Sequence, residues 1–309
     1  FGVFEVGMNR GGEIDYLTKI IKPDVGVITN ISYAHIKNFK NLNGIAKAKS
    51  EIINNIVKNG TMVINADDHF FDYLKLKALK KNLKVISFGK KNIADVSLKK
   101  IIKLKKKIYI FIIFNGKEKR FLIDRNLEIY LDNIMASLAV ISNYFDLQNI
   151  NENFFNNYNL PKGRGDQSFI KIKKKKIHLI DESYNSNPLS LKFAINKFNN
   201  LEVKSKKKII LLGDMLELGK FSKKFHIEVA KNVNKSNINE VYVYGKKIIY
   251  TFNKIRPQKR GKILNSKKEI IDFLINDIKN GEYLMIKGSN STGLNAITQN
   301  LKLGRLNAI

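Results

Sequence analysis

The 309-residue sequence has no cysteine, which excludes a disulfide framework, a thiolate metal centre and a cysteine nucleophile, and suits a reducing cytosol. It is poor in acids, with 27 Asp and Glu against 56 Lys and Arg, a formal net charge of +29. Long apolar runs are missing too. The longest, Ile108 to Phe114, falls far short of the roughly 20 residues that cross a bilayer, so no membrane span is expected. No Ser-His-Asp pattern, zinc signature or G-x-G-x-x-G fingerprint occurs. Nor does a G-x-x-x-x-G-K-[ST] phosphate loop, although strand ends dense in acids, amides and glycines follow one another along the chain.

The basic excess invites a polyanion reading. Its densest runs, 103–107, 171–176 and 204–208, lie between apolar β-like segments, where hairpin tips and loops sit in water. A nucleic-acid module would gather its cations on one face with aromatics between them. Here they are spread over many loops, so solvated tips are expected and no nucleic-acid partner. His69, His178 and His226 have no companion at metal-ligand spacing and read as ordinary surface or strand histidines.

At this length two domains are expected. The first residues, Phe1 to Val6, open in an apolar β-prone run with no initiator Met, so the chain reads as a fragment that begins inside a strand. Short apolar runs at 3–6, 25–29, 62–65 and 85–88 alternate with helical patterns at 13–21, 45–57 and 70–80, which predicts a parallel sheet with crossover helices. Three strands with lysine-rich turns over 96–123 add an antiparallel extension. A helix then follows with Leu131, Ile134, Met135, Leu138 and Phe145 on one face. Pro161-Lys162-Gly163-Arg164-Gly165 breaks the pattern, placing the domains at 1–162 and 163–309. Beyond the break, strands at 177–180, 209–212, 241–244 and 284–286 alternate with helices at 189–198, 221–233, 267–278 and 294–301. The fold class is α/β throughout: a mostly parallel central sheet of ATPase type, then a smaller Rossmann-like open sheet.

In open α/β sheets, ligands collect beyond the carboxyl ends of the strands. Glu5 stands at the end of the first expected strand; Asn30 follows the second, with His35 five residues on. A strand-end acid and a loop histidine can both hold Mg²⁺ or orient phosphate. Lys49 is the sharper candidate. In a helix from Gly44, the residues Ile45, Ala48, Ile52, Ile53 and Ile56 make one face; Lys49 falls in its middle, and Lys47 lies opposite. A buried ammonium drifts toward the neutral amine, which can act as a nucleophile or take up CO₂ as a carbamate; a stem that snorkels out to water is the alternative. In the second domain, Asp181-Glu182-Ser183-Tyr184-Asn185-Ser186-Asn187-Pro188 follows a strand. Two acids there can hold ribose hydroxyls or a cation, or simply cap a helix. Gly213-Asp214-Met215 and Lys287-Gly288-Ser289 repeat the form, strand, glycine, polar group.

Taken in order, several segments resemble the Mur ligase family over essentially the whole chain. They are Glu5 to Asn9 with Gly12-Glu13-Ile14, Thr29-Asn30-Ile31 with Ala34-His35, Ala46 to Ile52, Asn65-Ala66-Asp67, Asp181 to Asn187, Gly213 to Gly219 and Lys287-Gly288-Ser289. The closest likeness is to the member that adds D-alanyl-D-alanine to UDP-N-acetylmuramoyl-tripeptide in bacterial cell-wall synthesis. The resemblance implies a cytoplasmic, monomeric enzyme in which ATP activates the tripeptide carboxylate as an acyl phosphate for attack by the dipeptide amine. It further implies that Glu5, His35 and Lys49, the last as a carbamate, hold Mg²⁺ and are catalytic. By the same likeness Asn133 contacts adenine, Arg164 phosphate, and Asp181 with Glu182 the ribose or nucleotide, while Tyr184, Asn185 and Asn187 line the acceptor site.

There are departures. The chain has Asp132-Asn133-Ile134-Met135-Ala136 where the family usually shows His-Asn-x-x-Asn, so a second adenine-side Asn is missing and Asp132 can serve as a helix cap. Glu182 stands where Asp is commoner, and Asn290 where Arg is usual. Without a phosphate loop no backbone cradle receives the β- and γ-phosphates, and the segment alone is expected to be inactive. Another Mur ligase, a folylpolyglutamate-synthetase-like amide ligase, a non-catalytic relative and a basic nucleic-acid-binding module are the competing readings.

Overall fold

The computed structural model describes residues 1–309 except Asn92, Asn157, Asn159, Lys204 and 306–309. It divides into two compact units, Phe1–Tyr158 and Asn159–Ile309. The break read from Pro161 to Gly165 lies just inside the second of these.

In the first unit the helices α1 (Glu13–Ile21), α2 (Leu42–Lys49), α3 (Ile52–Asn55), α4 (Phe71–Lys80) and α5 (Leu131–Ile141) accompany one six-stranded sheet. Its strands β1 (Val25–Ile28), β2 (Thr61–Asn65), β3 (Lys84–Gly89), β4 (Val96–Lys103), β5 (Lys107–Phe114) and β6 (Lys117–Asp124) lie side by side in chain order. The first four run parallel, and β4–β6 form an antiparallel meander. The sequence dictates both halves. β2 is buried at every position, as a parallel strand covered on both faces must be, whereas β5 buries Ile108, Ile110 and Ile112 and turns Tyr109, Phe111 and Ile113 outward. One core cluster joins Ile28, Ile53, Ile56, Met62, Ile64, Leu74, Ala78 and Leu83.

Three expectations fail in this unit. Residues 1–8 carry no regular structure, and Phe1 and Val3 are almost wholly exposed, so the expected strand at 3–6 is absent. A strand needs a neighbour to satisfy its backbone, and β1 pairs only with β2. The single helix expected over 45–57 is two, broken at Ser50 and Glu51. Phe145 lies beyond the end of α5 and is exposed.

The second unit is a six-stranded sheet in the order β11-β10-β9-β12-β8-β7. Its strands are β7 (Asp166–Ile172), β8 (Lys175–Asp181), β9 (Lys208–Gly213), β10 (Glu240–Tyr244), β11 (Arg260–Leu264) and β12 (Tyr283–Lys287). All neighbours are parallel except the β7–β8 hairpin. Helices α6 (Pro188–Asn199), α7 (Ser222–Lys235), α8 (Ile249–Phe252), α9 (Lys267–Asp272) and α10 (Leu294–Lys302) complete it. The last turns expected of the helix at 267–278 wind as a π-helix over Phe273–Asp277. At α6 a full capping box closes the N-terminus: Asn187 Oδ1 accepts from the Ser190 amide at 2.8 Å, Ser190 Oγ accepts from the Asn187 amide at 3.0 Å, and Pro188 follows.

Candidate active site

In the first unit the chemistry gathers where β1 and β2 end. Lys49, last residue of α2, turns inward while Lys47 is exposed, as helical phase requires. Its Nζ donates to the Asn30 carbonyl at 2.8 Å, just past the end of β1. Burial pushes the Lys49 amine below the usual lysine range, and the charge of Asp68 only partly opposes that. Asp68 is itself held in place, accepting from the amides of Ile31 at 2.7 Å and Phe70 at 2.8 Å. Asn65, the last residue of β2, donates to the Thr29 carbonyl at 3.1 Å and accepts from the Asp67 amide at 2.8 Å. Two loops are thus stitched together beside one depressed amine.

His35 is half-buried and adopts a left-handed backbone, φ 59°, at the start of a short 3₁₀ turn. Such a conformation is rare outside glycine and asparagine and is kept where surrounding structure imposes it. Glu5 is exposed on the N-terminal segment, which has no regular structure. Among the described residues no three His, Asp or Glu side chains stand close enough to hold a metal ion. Asn133 is exposed in the first turn of α5. The N-cap position of α5 is Tyr130, not Asp132, which lies within the first turn and pairs with Lys90 at 3.1 Å.

The second unit has a different kind of strand end. Asp181 closes β8 with no exposed surface: Oδ1 accepts from the Ser183 amide at 3.0 Å and hydroxyl at 2.5 Å, and Oδ2 accepts from Gln299 at 3.2 Å and Lys302 at 2.5 Å. Lys302 also bonds Asp166 at 2.5 Å, so one ammonium at the end of α10 ties β7 to β8. Burial disfavours its charge, yet the two carboxylates win and raise it. Glu182 faces Lys287 at 3.6 Å, and Lys287, almost fully buried, donates to the Asn185 carbonyl at 2.9 Å. Desolvation pulls Lys287 down against the attraction of Glu182. Expected at a ribose, both carboxylates face inward here, and a ribose contact by either would first have to open these bonds.

The loop that these ions brace presents the remaining candidates. Tyr184 and Asn185 are exposed, whereas Asn187 is spent on the cap of α6. The Arg164 guanidinium lies over the Tyr184 ring at 4.4 Å. Gly163, at φ 76°, accepts from the Tyr184 amide at 3.1 Å, and a Cβ there would meet Tyr184 Cβ at 2.9 Å, so only glycine fits.

Sequence reasoning missed His226. It is fully buried on α7, where Nε2 accepts from the Met215 amide at 3.1 Å and Nδ1 lies 2.7 Å from the Ser222 carbonyl. Nδ1 therefore carries the proton of a neutral ring, and burial holds the group below the ordinary histidine range. Its phase with Val229, Ala230 and Val233 was the available signal. His178, by contrast, is a strand histidine as expected, on β8, where its ring stacks on Tyr283 of the neighbouring strand at 4.1 Å.

Known proteins resemble this chain in sequence and fold. The model of the Mur ligase middle domain matches residues 1–141, and that of the Mur ligase glutamate ligase domain matches 169–290. A UDP-N-acetylmuramoyl-tripeptide–D-alanyl-D-alanine ligase of Buchnera aphidicola subsp. Acyrthosiphon pisum is 32% identical over 97% of this chain and 65% of its own length. The Rickettsia prowazekii enzyme of the same name is 30% identical over 96% of this chain and, again, 65% of its own. The chain thus spans 65% of the length of these relatives. Among solved structures, MurF from Acinetobacter baumannii superposes with a TM-score of 0.82 at 25% identity, covering 99% of this chain and 64% of that one. With a middle domain and a glutamate ligase domain in sequence along one polypeptide, this chain belongs to the Mur ligase family.

Proposed function

We propose that the chain is the catalytic middle and C-terminal portion of an ATP-dependent amide ligase that joins D-alanyl-D-alanine to UDP-N-acetylmuramoyl-tripeptide. The observation that carries this is the likeness, along nearly the whole chain, to ligases named for that reaction. The tripeptide carboxylate attacks the γ-phosphorus of ATP and ADP leaves. The dipeptide amine then attacks the acyl carbon, phosphate departs, and the amine loses its proton as the amide forms.

Each unit contributes in its own way. Lys49, depressed by burial and, among the described residues, bonded to one carbonyl, is suited to react with CO₂, and the resulting carbamate would be an anionic oxygen ligand. With His35 and Glu5 that group would hold Mg²⁺, whose chemistry is to neutralise charge on the phosphoryl oxygens. The donor types suit a hard cation; Glu5, on its exposed segment, would have to fold in to join the set. Asn133 presents an amide to adenine from α5, and Arg164, steadied on Tyr184, presents a planar fork to phosphate. Tyr184 and Asn185, on a loop tied down by Lys287, face the acceptor dipeptide.

The test is an acceptor screen on protein expressed from the whole reading frame. Phosphate release from ATP with UDP-muramoyl-tripeptide is expected to be driven by D-alanyl-D-alanine and not by single amino acids. Release driven by glutamate or alanine instead would move the chain to a different amide ligase. The carbamate has its own readout: ¹³C-bicarbonate should give a carbamate resonance that Lys49→Met abolishes and Lys47→Met leaves.

A further inference from the structure

Of the three lysine runs in this chain, one differs from the others in what stands between its cations. At 171–176 the alternate residue Ile172 is 1% exposed, turned into the core. In the run at 204–208, Lys207 pairs with Glu240 and Lys208 is buried, while Lys204 lies outside the described residues. At 103–107 the arrangement is reversed. The chain turns between β4 and β5 in a tight hairpin closed by the Leu104 amide on the Lys107 carbonyl at 2.9 Å, and the aliphatic side chains point out: Ile102 is 44% and Leu104 45% exposed.

These two continue a stripe along the outer face of the meander. Ile102 stands beside Tyr109, which pairs with Leu122, and the next row is Lys100, Phe111 and Arg120, with Lys100 over the Phe111 ring at 4.5 Å and Arg120 over Tyr109 at 5.2 Å. Lys103 is engaged by Glu128 at 2.6 Å and Lys107 by Asn156 at 3.0 Å. Lys105 and Lys106, at the tip, are in no ion pair among the described residues. Between Val96 and Asp124 there are nine Lys or Arg and two acids, a local charge of +7.

We propose that this hairpin docks the protein on an anionic phospholipid surface, Lys105 and Lys106 meeting the headgroups and Leu104 and Ile102 entering the interface. Exposed aliphatic side chains decide the occupant. Single-stranded nucleic acid rewards flat rings open for stacking, and the two rings of this face are already covered by Lys100 and Arg120. A bilayer interface rewards aliphatic carbon directly, and each lysine near an anionic leaflet adds about a factor of five in affinity. The contact would be peripheral and salt-sensitive, since the field decays over about 8 Å at physiological ionic strength.

The experiment is sedimentation of the full chain with vesicles of phosphatidylcholine and phosphatidylglycerol, against vesicles of phosphatidylcholine alone. Binding is expected to the mixed vesicles only and to disappear in high salt. Lys105→Ser with Lys106→Ser should weaken it about thirtyfold, and Leu104→Ser about tenfold. The same charge removal at the other hairpin, Lys173→Ser with Lys174→Ser, should change it by less than about twofold. All three variants change exposed tips, and unaltered thermal midpoints will verify the fold. Equal loss from the two double variants, equal binding to neutral vesicles, or no binding at low salt would overturn the proposal. So would a single-stranded oligonucleotide that displaces the vesicles and depends equally on Lys105 and Lys106.

Discussion

The two strand-end sites use partly buried lysines in opposite ways. In the first unit Lys49 is taken partly out of water beside the Asn30 carbonyl, and burial disfavours its charged form. In the second, Lys302 is placed between Asp166 and Asp181, and its charged form is reinforced. The charge of the same side chain is disfavoured in one setting and reinforced in the other. What differs is whether a carboxylate stands within bonding distance. The first unit leaves chemical potential open at its site, and the second uses its charges to fix the loop that presents Tyr184 and Asn185.

The largest expected effect comes from breaking the structural arm. Lys302→Met leaves Asp181, with no exposed surface, facing Asp166 without its cation, and should destabilise the second unit by about 3 kcal/mol. Urea titration followed by near-ultraviolet signals would measure it. Adding Asp181→Asn and Asp166→Asn should restore most of the loss, because the penalty lies in the stranded charge. If Lys302→Met costs nothing, the triad is not the brace described here.

A second, smaller effect separates the units by pH. His226 is neutral in the fold and its pKa lies below the ordinary value of 6.5. Below that value the unfolded chain binds a proton that the fold refuses, so this contribution is fully present above about pH 6.5 and is lost as pH falls. The Met215 loop should open first in acid, seen as faster amide exchange at Met215 between pH 6.5 and 5. His226→Gln, which still offers an acceptor, should flatten that dependence at a cost of about 1–2 kcal/mol in stability at neutral pH. An unchanged acid limb in the variant would assign the opening to other groups.

How far these differences were legible in the sequence follows from the range of the interactions. Alternation of apolar runs and helical stretches places most of the parallel strands and crossover helices, because burial on both faces writes itself into consecutive residues, as in β2. Phase alone turns Lys49 inward, and would have done the same for His226 on α7. Other features depend on residues far away in the chain. The break after Lys49 coincides with Glu51 reaching back to accept from the Gly12 amide at 2.8 Å and with Lys77 bonding the Ser50 carbonyl at 3.0 Å; neither contact shows in local propensity. β7 went unread because its outward positions mix Gln167, Phe169 and Lys171 while only Ile170 and Ile172 are buried, and pairing with β8 holds it in place. The inward commitment of Asp181 and Glu182 is likewise a fact of tertiary pairing, since both wait for lysines more than a hundred residues downstream.

The smallest expected change in stability, and the sharpest for the comparison, is at Lys49. Its folded pKa is lowered from 10.5, so between the folded and unfolded values the unfolded chain holds more protons and stability rises with pH. Lys302 has the reverse sign: its folded pKa is raised, so the stability it contributes is present below 10.5 and is lost as pH climbs through the folded value. Lys49→Met should therefore leave stability at neutral pH unchanged or slightly higher, because a methionine keeps the stem's packing and no ammonium remains to be desolvated. It should also remove part of the rise toward alkaline pH. Lys47→Met, at an exposed position, should alter neither the level nor the slope. Unfolding free energies for the three proteins between pH 7 and 10 decide the matter. If Lys49→Met proves strongly destabilising at pH 7, the ammonium is held by interactions as favourable as those of Lys302, and the contrast between a disfavoured and a reinforced charge fails.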